Sequence, residues 1–304
     1  MKLTVALLVS LCAAALVINA GPLAQDQEDV RGAFLTSRPK EKTSTPTTTA
    51  KPNRRKPKPV VGETKKTGTP DNNIAKTDHK TGGTETKTIK QEPVNAQRLG
   101  LGLTLFMRDS TGLAVRTDPT RVFQKGDRVR VLLETNTDGY LYIFNTTNDG
   151  SPVMIYPDAD LDEAGNYLQA HVPFEIPSSL GTEERLRWLA FDENAGNERL
   201  YFVFSKEPLT GLPIDDELLA LCRDSKSSCP VKPTAEVWAQ VQKDLQQPLK
   251  SDSSLQSGVA QTKTEQQASS RGVGLAKDDP QPSLIMMASA RGTKLVTTLD
   301  LIHK

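Results

Sequence analysis

Residues 124–157, QKGDRVRVLLETNTDGYLYIFNTTNDGSPVMIYP, decide the fold class. Val129, Val131 and Leu133 alternate with Arg128, Arg130 and Glu134, so one side of an extended segment is apolar and the other charged. Thr137-Asp138-Gly139 turns the chain into Tyr140-Leu141-Tyr142-Ile143-Phe144, a run that favours strand and sets three rings on one side. Asn148-Asp149-Gly150 turns it again into Val153-Met154-Ile155-Tyr156, which Pro157 ends. Asp-Gly in both turns suits hairpins, because glycine takes positive φ at no steric cost. The stretch reads as three consecutive antiparallel strands.

On either side the texture continues. Residues 101–109 (LGLTLFMRD), 112–118 (GLAVRTD) and 120–123 (TRVF) read as short strands before it. After a polar loop at 158–166 (DADLDEAGN), residues 167–170, 172–177, 186–191 (LRWLAF) and 200–204 (LYFVF) resume extended structure. About eight or nine short strands with frequent turns indicate a mainly β domain over residues 96–213, an antiparallel sandwich or partly closed barrel. Its core draws on Val129, Val131, Leu133, Leu141, Ile143, Ile155, Phe174, Trp188, Phe202 and Phe204.

Two short helices are expected in a C-terminal extension, 214–247. Residues 214–222 begin with acids that suit a helix N-terminus, and residues 234–245 place Thr234 at an N-cap with Val237, Val241 and Leu245 along one face. Residues 248–282 return to Ser, Gln and Lys and are expected to be a flexible linker. Residues 283–304 regain apolar character and are expected to return to the sheet as a strand that covers an edge.

The N-terminal third has a different composition. Residues 1–20, with Lys2 before an apolar run and Ile18-Asn19-Ala20 as a cleavage site, read as a secretory signal too short to span a membrane. Residues 21–95 are Thr-, Pro- and Lys-rich and read as a disordered basic tether, with only a weak helical tendency at 21–35. The net charge of +1 conceals a split: residues 36–95 hold 14 Lys/Arg against 6 Asp/Glu, whereas residues 96–209 hold 11 against 17. Export places the protein in the periplasm, on the envelope or outside the cell, with no transmembrane span once the signal is removed. The expected partner is a protein or an anionic cell-envelope polymer. Nucleic acid is disfavoured because no aromatic residue interleaves the basic cluster around Arg54 and Arg55. Cys12 lies in the leader, so Cys222 and Cys229 remain and most simply form one disulfide.

Certain motifs are more specific. Gly126-Asp127, Gly139-Tyr140-Leu141-Tyr142, Tyr156-Pro157 and Ser205-Lys206-Glu207-Pro208-Leu209 together resemble domain-of-unknown-function family 4384, met in exported and multidomain bacterial proteins. The resemblance runs over about residues 99–213. It implies a shared β fold and no catalytic residue, and fold alone does not imply function.

No arrangement for catalysis is visible. The three histidines, His79, His171 and His303, are scattered, and neither a nucleophile elbow, a phosphate loop nor a zinc spacing is present. A non-enzymatic binding module without a required cofactor is therefore expected. Two ligand features stand out. Asp158, Asp160 and Asp162 alternate along a loop as Ca²⁺ ligands often do, although the EF-hand pattern is not met. Tyr140, Tyr142 and Tyr156 form a candidate carbohydrate-stacking face, set against the alternative that such a stripe is half of a core. Asn145-Thr146-Thr147 also fits an N-glycosylation sequon.

Overall fold

The computed structural model describes residues 23–41, 54–57, 98–159, 165–224 and 229–304. The expected signal and most of the expected tether lie outside them. In chain order the elements are α1 (Leu23–Thr36), β1 (Gly100–Arg108), β2 (Ala114–Arg116), β3 (Arg128–Thr135), β4 (Gly139–Thr147), β5 (Val153–Tyr156) and β6 (Tyr167–Leu168). They continue with β7 (Phe174–Ile176), β8 (Leu189–Ala190), β9 (Gly196–Ser205), α2 (Asp215–Asp224), α3 (Ala235–Leu245), β10 (Leu249–Ser253), α4 (Lys263–Arg271), β11 (Leu284–Ala288) and β12 (Lys294–His303).

The strands form two antiparallel sheets that do not close into a barrel: a β-sandwich. The first runs β10-β11-β1-β3-β7, with β2 on β1 and β8 on β3; the second runs β12-β9-β4-β5, with β6 on β4. Between them Leu101, Leu103 and Leu105 of β1 and Val129, Val131 and Leu133 of β3 meet Leu141 and Ile143 of β4 and Phe202 and Phe204 of β9. Burying these apolar faces against each other is the main drive for the two-layer arrangement.

One feature of the central stretch differs from its reading as a meander. β4 pairs with β5, but β3 pairs with β1, β7 and β8 in the other sheet. Both β3 and β4 have an apolar face, and facing each other across the core buries both. The turns differ accordingly. Neither Gly139 nor Gly150 takes positive φ; Asn148 (51°) and Asp149 (56°) do. Gly139 is needed for space, since a Cβ there would lie 2.6 Å from the Ser205 carbonyl oxygen.

The outer faces are also covered. On the second sheet Tyr142, Phe144 and Tyr201 pack under α2 and α3, with Trp238 of α3 edge-on to Phe144 and Tyr201. Thr234 caps α3 by accepting the Val237 N–H at 3.3 Å. Cys222 and Cys229 form a disulfide, their Cα atoms 5.6 Å apart. On the first sheet Val30 and Phe34 of α1 pack on Ile285 and Met287 of β11. Gly100 and Gly102 admit this layer, because a Cβ at either would meet Phe34 or Pro282 within 3 Å.

Two expectations are corrected here, and a third feature lay beyond the sequence reading. The span 21–95 is not tether throughout: α1 docks on the sheet, Arg38 is buried, and Arg54 lies buried over the Phe174 ring. Residues 248–282 are not a bare linker, since β10 pairs with β11, and α4 is closed by a Thr262–Glu265 capping box and by Gly272 at φ 66°. The charged side of β3 does not face water: Arg130 and Glu134 are buried. The C-terminal segment supplies a strand to each sheet, β11 beside β1 and β12 beside β9. Among the described residues no helix is long and apolar enough to cross a membrane.

Candidate functional site

Two buried histidines, at different places in the sandwich, concentrate the chemistry. His171 lies on the outer face of the first sheet. Its backbone is held at φ 58° by an N–H bond to the Thr135 carbonyl (2.7 Å) and by its own carbonyl accepting from Leu275 (2.8 Å). Its Nδ1 is 2.8 Å from Glu134 Oε1 and its Nε2 is 2.9 Å from Ser37 Oγ. Serine, imidazole and carboxylate thus stand in the connectivity of a nucleophile triad.

The surroundings also tie that arrangement into the fold. Arg38 forks onto both oxygens of Glu134, Nε to Oε1 at 2.8 Å and Nη2 to Oε2 at 2.6 Å. Its remaining N–H groups donate to the carbonyls of Ala276, Asp279 and Pro280. Burial raises the Glu134 carboxyl pKa, but hydrogen bonds from His171 and Arg38 and the Arg38 charge outweigh it and hold the group below its ordinary range. Ser37 Oγ is also 2.5 Å from the Phe34 carbonyl, the Phe34 ring stands edge-on to the imidazole, and His171 is 3% exposed. The group fastens the segment after α1 to the sheet. A second pair, Arg116 Nη2 to Glu265 Oε1 at 2.6 Å, fastens α4 to the same layer.

His303 ends β12 between the sheets. Its register partner is Gly196 of β9, and its ring tilts against Phe191 at 5.1 Å. It is also 3% exposed, yet among the described residues neither ring nitrogen has a hydrogen-bond partner. Glu198 Oε1 is 3.7 Å from Nε2, close enough for charge and too far for a hydrogen bond. Glu198 Oε2 accepts from Asn145 Nδ2 (2.8 Å) and Thr147 Oγ1 (2.9 Å), while Asn145 Oδ1 is buried and unpaired. His303, Glu198 and Asn145 line a cavity of about 220 Å³ together with Asp192 and the apolar Ile155, Leu189, Phe191, Leu200 and Leu301. Hydrogen bonds from the Asn194 backbone and side chain lower the Asp192 pKa, so it is an anion at neutral pH.

The expected site residues fall elsewhere. Asp158 lines a larger cavity of about 620 Å³ between β5 and the disulfide, whereas Asp160 and Asp162 lie outside the described residues. Among the described residues no three His, Cys, Asp or Glu side chains are grouped to hold a metal. The tyrosines do not form an exposed sugar platform. Tyr140 and Tyr142 are buried, and the Tyr142 hydroxyl accepts the Leu209 N–H at 3.0 Å. A register shift between Ile143 and Phe144 sends Met154 to the outer layer and Tyr156 into the core, where its hydroxyl donates to the Gly165 carbonyl at 3.1 Å. Two close-packed layers account for all three rings.

Sequence reasoning missed His303 and Glu198, although one signal pointed to the histidine. Leu295, Thr297, Leu299, Leu301 and His303 alternate without a break, which puts the imidazole on the core side of β12.

Residues 122–208 match the family model of a domain of unknown function (DUF4384). No curated protein and no solved structure matches the chain. The DUF4384 span is shorter than the resemblance seen in the sequence and carries β3 to β9. It contains Glu134, His171, Asn145, Asp192 and Glu198, but Ser37, Arg38 and His303 come from outside it. Both histidine sites of the sandwich are therefore completed by segments beyond the DUF4384 match.

Proposed function

We propose that this protein is an exported, non-enzymatic binding module whose ligand site is the cavity at His303. The observation that carries the reading is the buried imidazole with two unpaired nitrogens facing a cavity large enough for a small molecule. An unpaired buried polar group costs about 1–3 kcal/mol, which a ligand that completes it would recover. The non-enzymatic part is supported by Arg38, which takes up both oxygens of Glu134 and leaves the His171 group as a fastening. Export is supported by the leader-like residues 1–20 and by the Cys222–Cys229 disulfide. The basic composition of residues 36–95 supports an anionic envelope polymer as the larger partner.

The test is p-nitrophenyl acetate hydrolysis by the full chain beside Ser37→Ala. We expect both at the rate of buffer. Turnover that Ser37→Ala abolishes would make the His171 group catalytic and overturn the reading. A mature N-terminus at Gly21 after secretion from a bacterial host checks the export part.

A further inference from the structure

The polar wall of the His303 cavity is rich in acceptors. Asn145 offers an unpaired carbonyl oxygen, Glu198 an oxygen without a hydrogen bond and Asp192 a carboxylate, beside the two unpartnered ring nitrogens of His303. Among the described residues no Lys or Arg lines the wall. The amide orientation of Asn145 is set by Glu198, which requires a donor and so receives Nδ2, leaving Oδ1 free of one. Of the cations adjacent to wall residues, Arg128 pairs with Glu184, Arg199 pairs with Asp149 and Asp300, and Lys304 is exposed at the end of the strand. The cavity therefore presents acceptors and negative charge, and Ile155, Leu189, Leu200 and Leu301 add hydrocarbon to the same wall.

Resting on the reading of this cavity as the binding site, we infer that its ligand is a small primary ammonium compound with a short apolar body. An ammonium brings three donors and one positive charge. It pairs with Asn145 Oδ1 and Glu198 Oε1 in charge-assisted hydrogen bonds, the strong kind. A short alkyl chain then covers the aliphatic wall and gains from leaving water. A carboxylate ligand would meet Glu198 and Asp192 with like charge, and a neutral alcohol would leave Glu198 uncompensated.

The experiment follows the Cε1–Hε1 signal of His303 in the full chain by NMR, with the paired His171 as internal reference. The probes are n-butylammonium chloride, n-butanol, sodium butyrate and calcium chloride at constant ionic strength. We expect n-butylammonium to shift His303 saturably, with a Kd about tenfold or more below that of n-butanol, as one charged hydrogen bond implies. Butyrate and calcium should leave the signal in place. Glu198→Gln should erase most of the preference for n-butylammonium over n-butanol. If n-butanol or butyrate binds as tightly as n-butylammonium, or calcium alone binds, the cavity is a binding site and the ligand class is wrong. If Glu198→Gln keeps the ammonium preference, the recognition assigned to that carboxylate is wrong. If no probe moves His303 the cavity reading itself falls, and the ligand class with it. The wild-type probe series decides even where the variant does not fold.

Discussion

His171 and His303 make an instructive pair. Each is 3% exposed and each stands beside a glutamate. His171 spends both nitrogens, one on Glu134 and one on Ser37, and the glutamate is matched by an arginine. His303 spends neither. Burial and a nearby carboxylate are common to both, and the difference lies in whether each donor and acceptor finds a partner. The His171 group has the connectivity of a triad and is tied into the fold through every member; the His303 ring is held by packing alone.

The comparison can be broken by mutation. The largest effect is expected at Arg38. Arg38→Ala leaves Glu134 charged in a buried layer and should lower unfolding stability by about 3–5 kcal/mol in urea melts. The double variant Arg38→Met, Glu134→Leu should lose clearly less, because no orphan charge remains. A double loss as large as the single one would show that the pair is not the fastening described.

Next in size is the contrast between the histidines. His171→Leu should cost about 1–3 kcal/mol, since it strips Glu134 and Ser37 of a partner. His303→Leu should cost less than about 1 kcal/mol or stabilise, since the imidazole it removes has no hydrogen bond to lose. Equal losses at the two sites would erase the distinction.

Acid should act on the His171 side. The folded-state pKa of Glu134 is depressed, so its contribution is present above the ordinary carboxyl value and lost as pH falls through the folded one. Stability should decline below about pH 4, and the Arg38→Met, Glu134→Leu variant should show a shallower decline. The smallest effect is expected at the other fastening. Thr262→Ala removes the cap of α4 and one partner of Glu265, and should cost about 1 kcal/mol in a thermal melt.

Much of the strand content was legible. Alternation in β3 and β4 marked the residues that fill the core, and Thr234 marked the start of α3. α4 was equally marked by Thr262-Lys263-Thr264-Glu265 ahead of Gly272, a capping box and a glycine stop masked by the polar composition between them. α1 had no such signal, because its Val30 and Phe34 acquire meaning only against Ile285 and Met287. The candidate site was almost illegible. Its groups come from β4, β9, β12 and the β8–β9 connection, and Asn145, Glu198 and His303 share no local pattern.

The sequence by itself determined that this is a β protein and which side of each central strand is apolar. These depend on side-chain period and turn chemistry over a few residues. Only the tertiary structure decided that β3 and β4 part into opposite sheets, that the tyrosine stripe is core, and that Arg130 and Glu134 are buried. It also decided which histidine is satisfied. Those outcomes depend on partners far along the chain, Arg38 standing 96 residues from Glu134 and Arg116 149 from Glu265. A local pattern can state what a side chain needs; the packing of distant segments determines whether it is supplied.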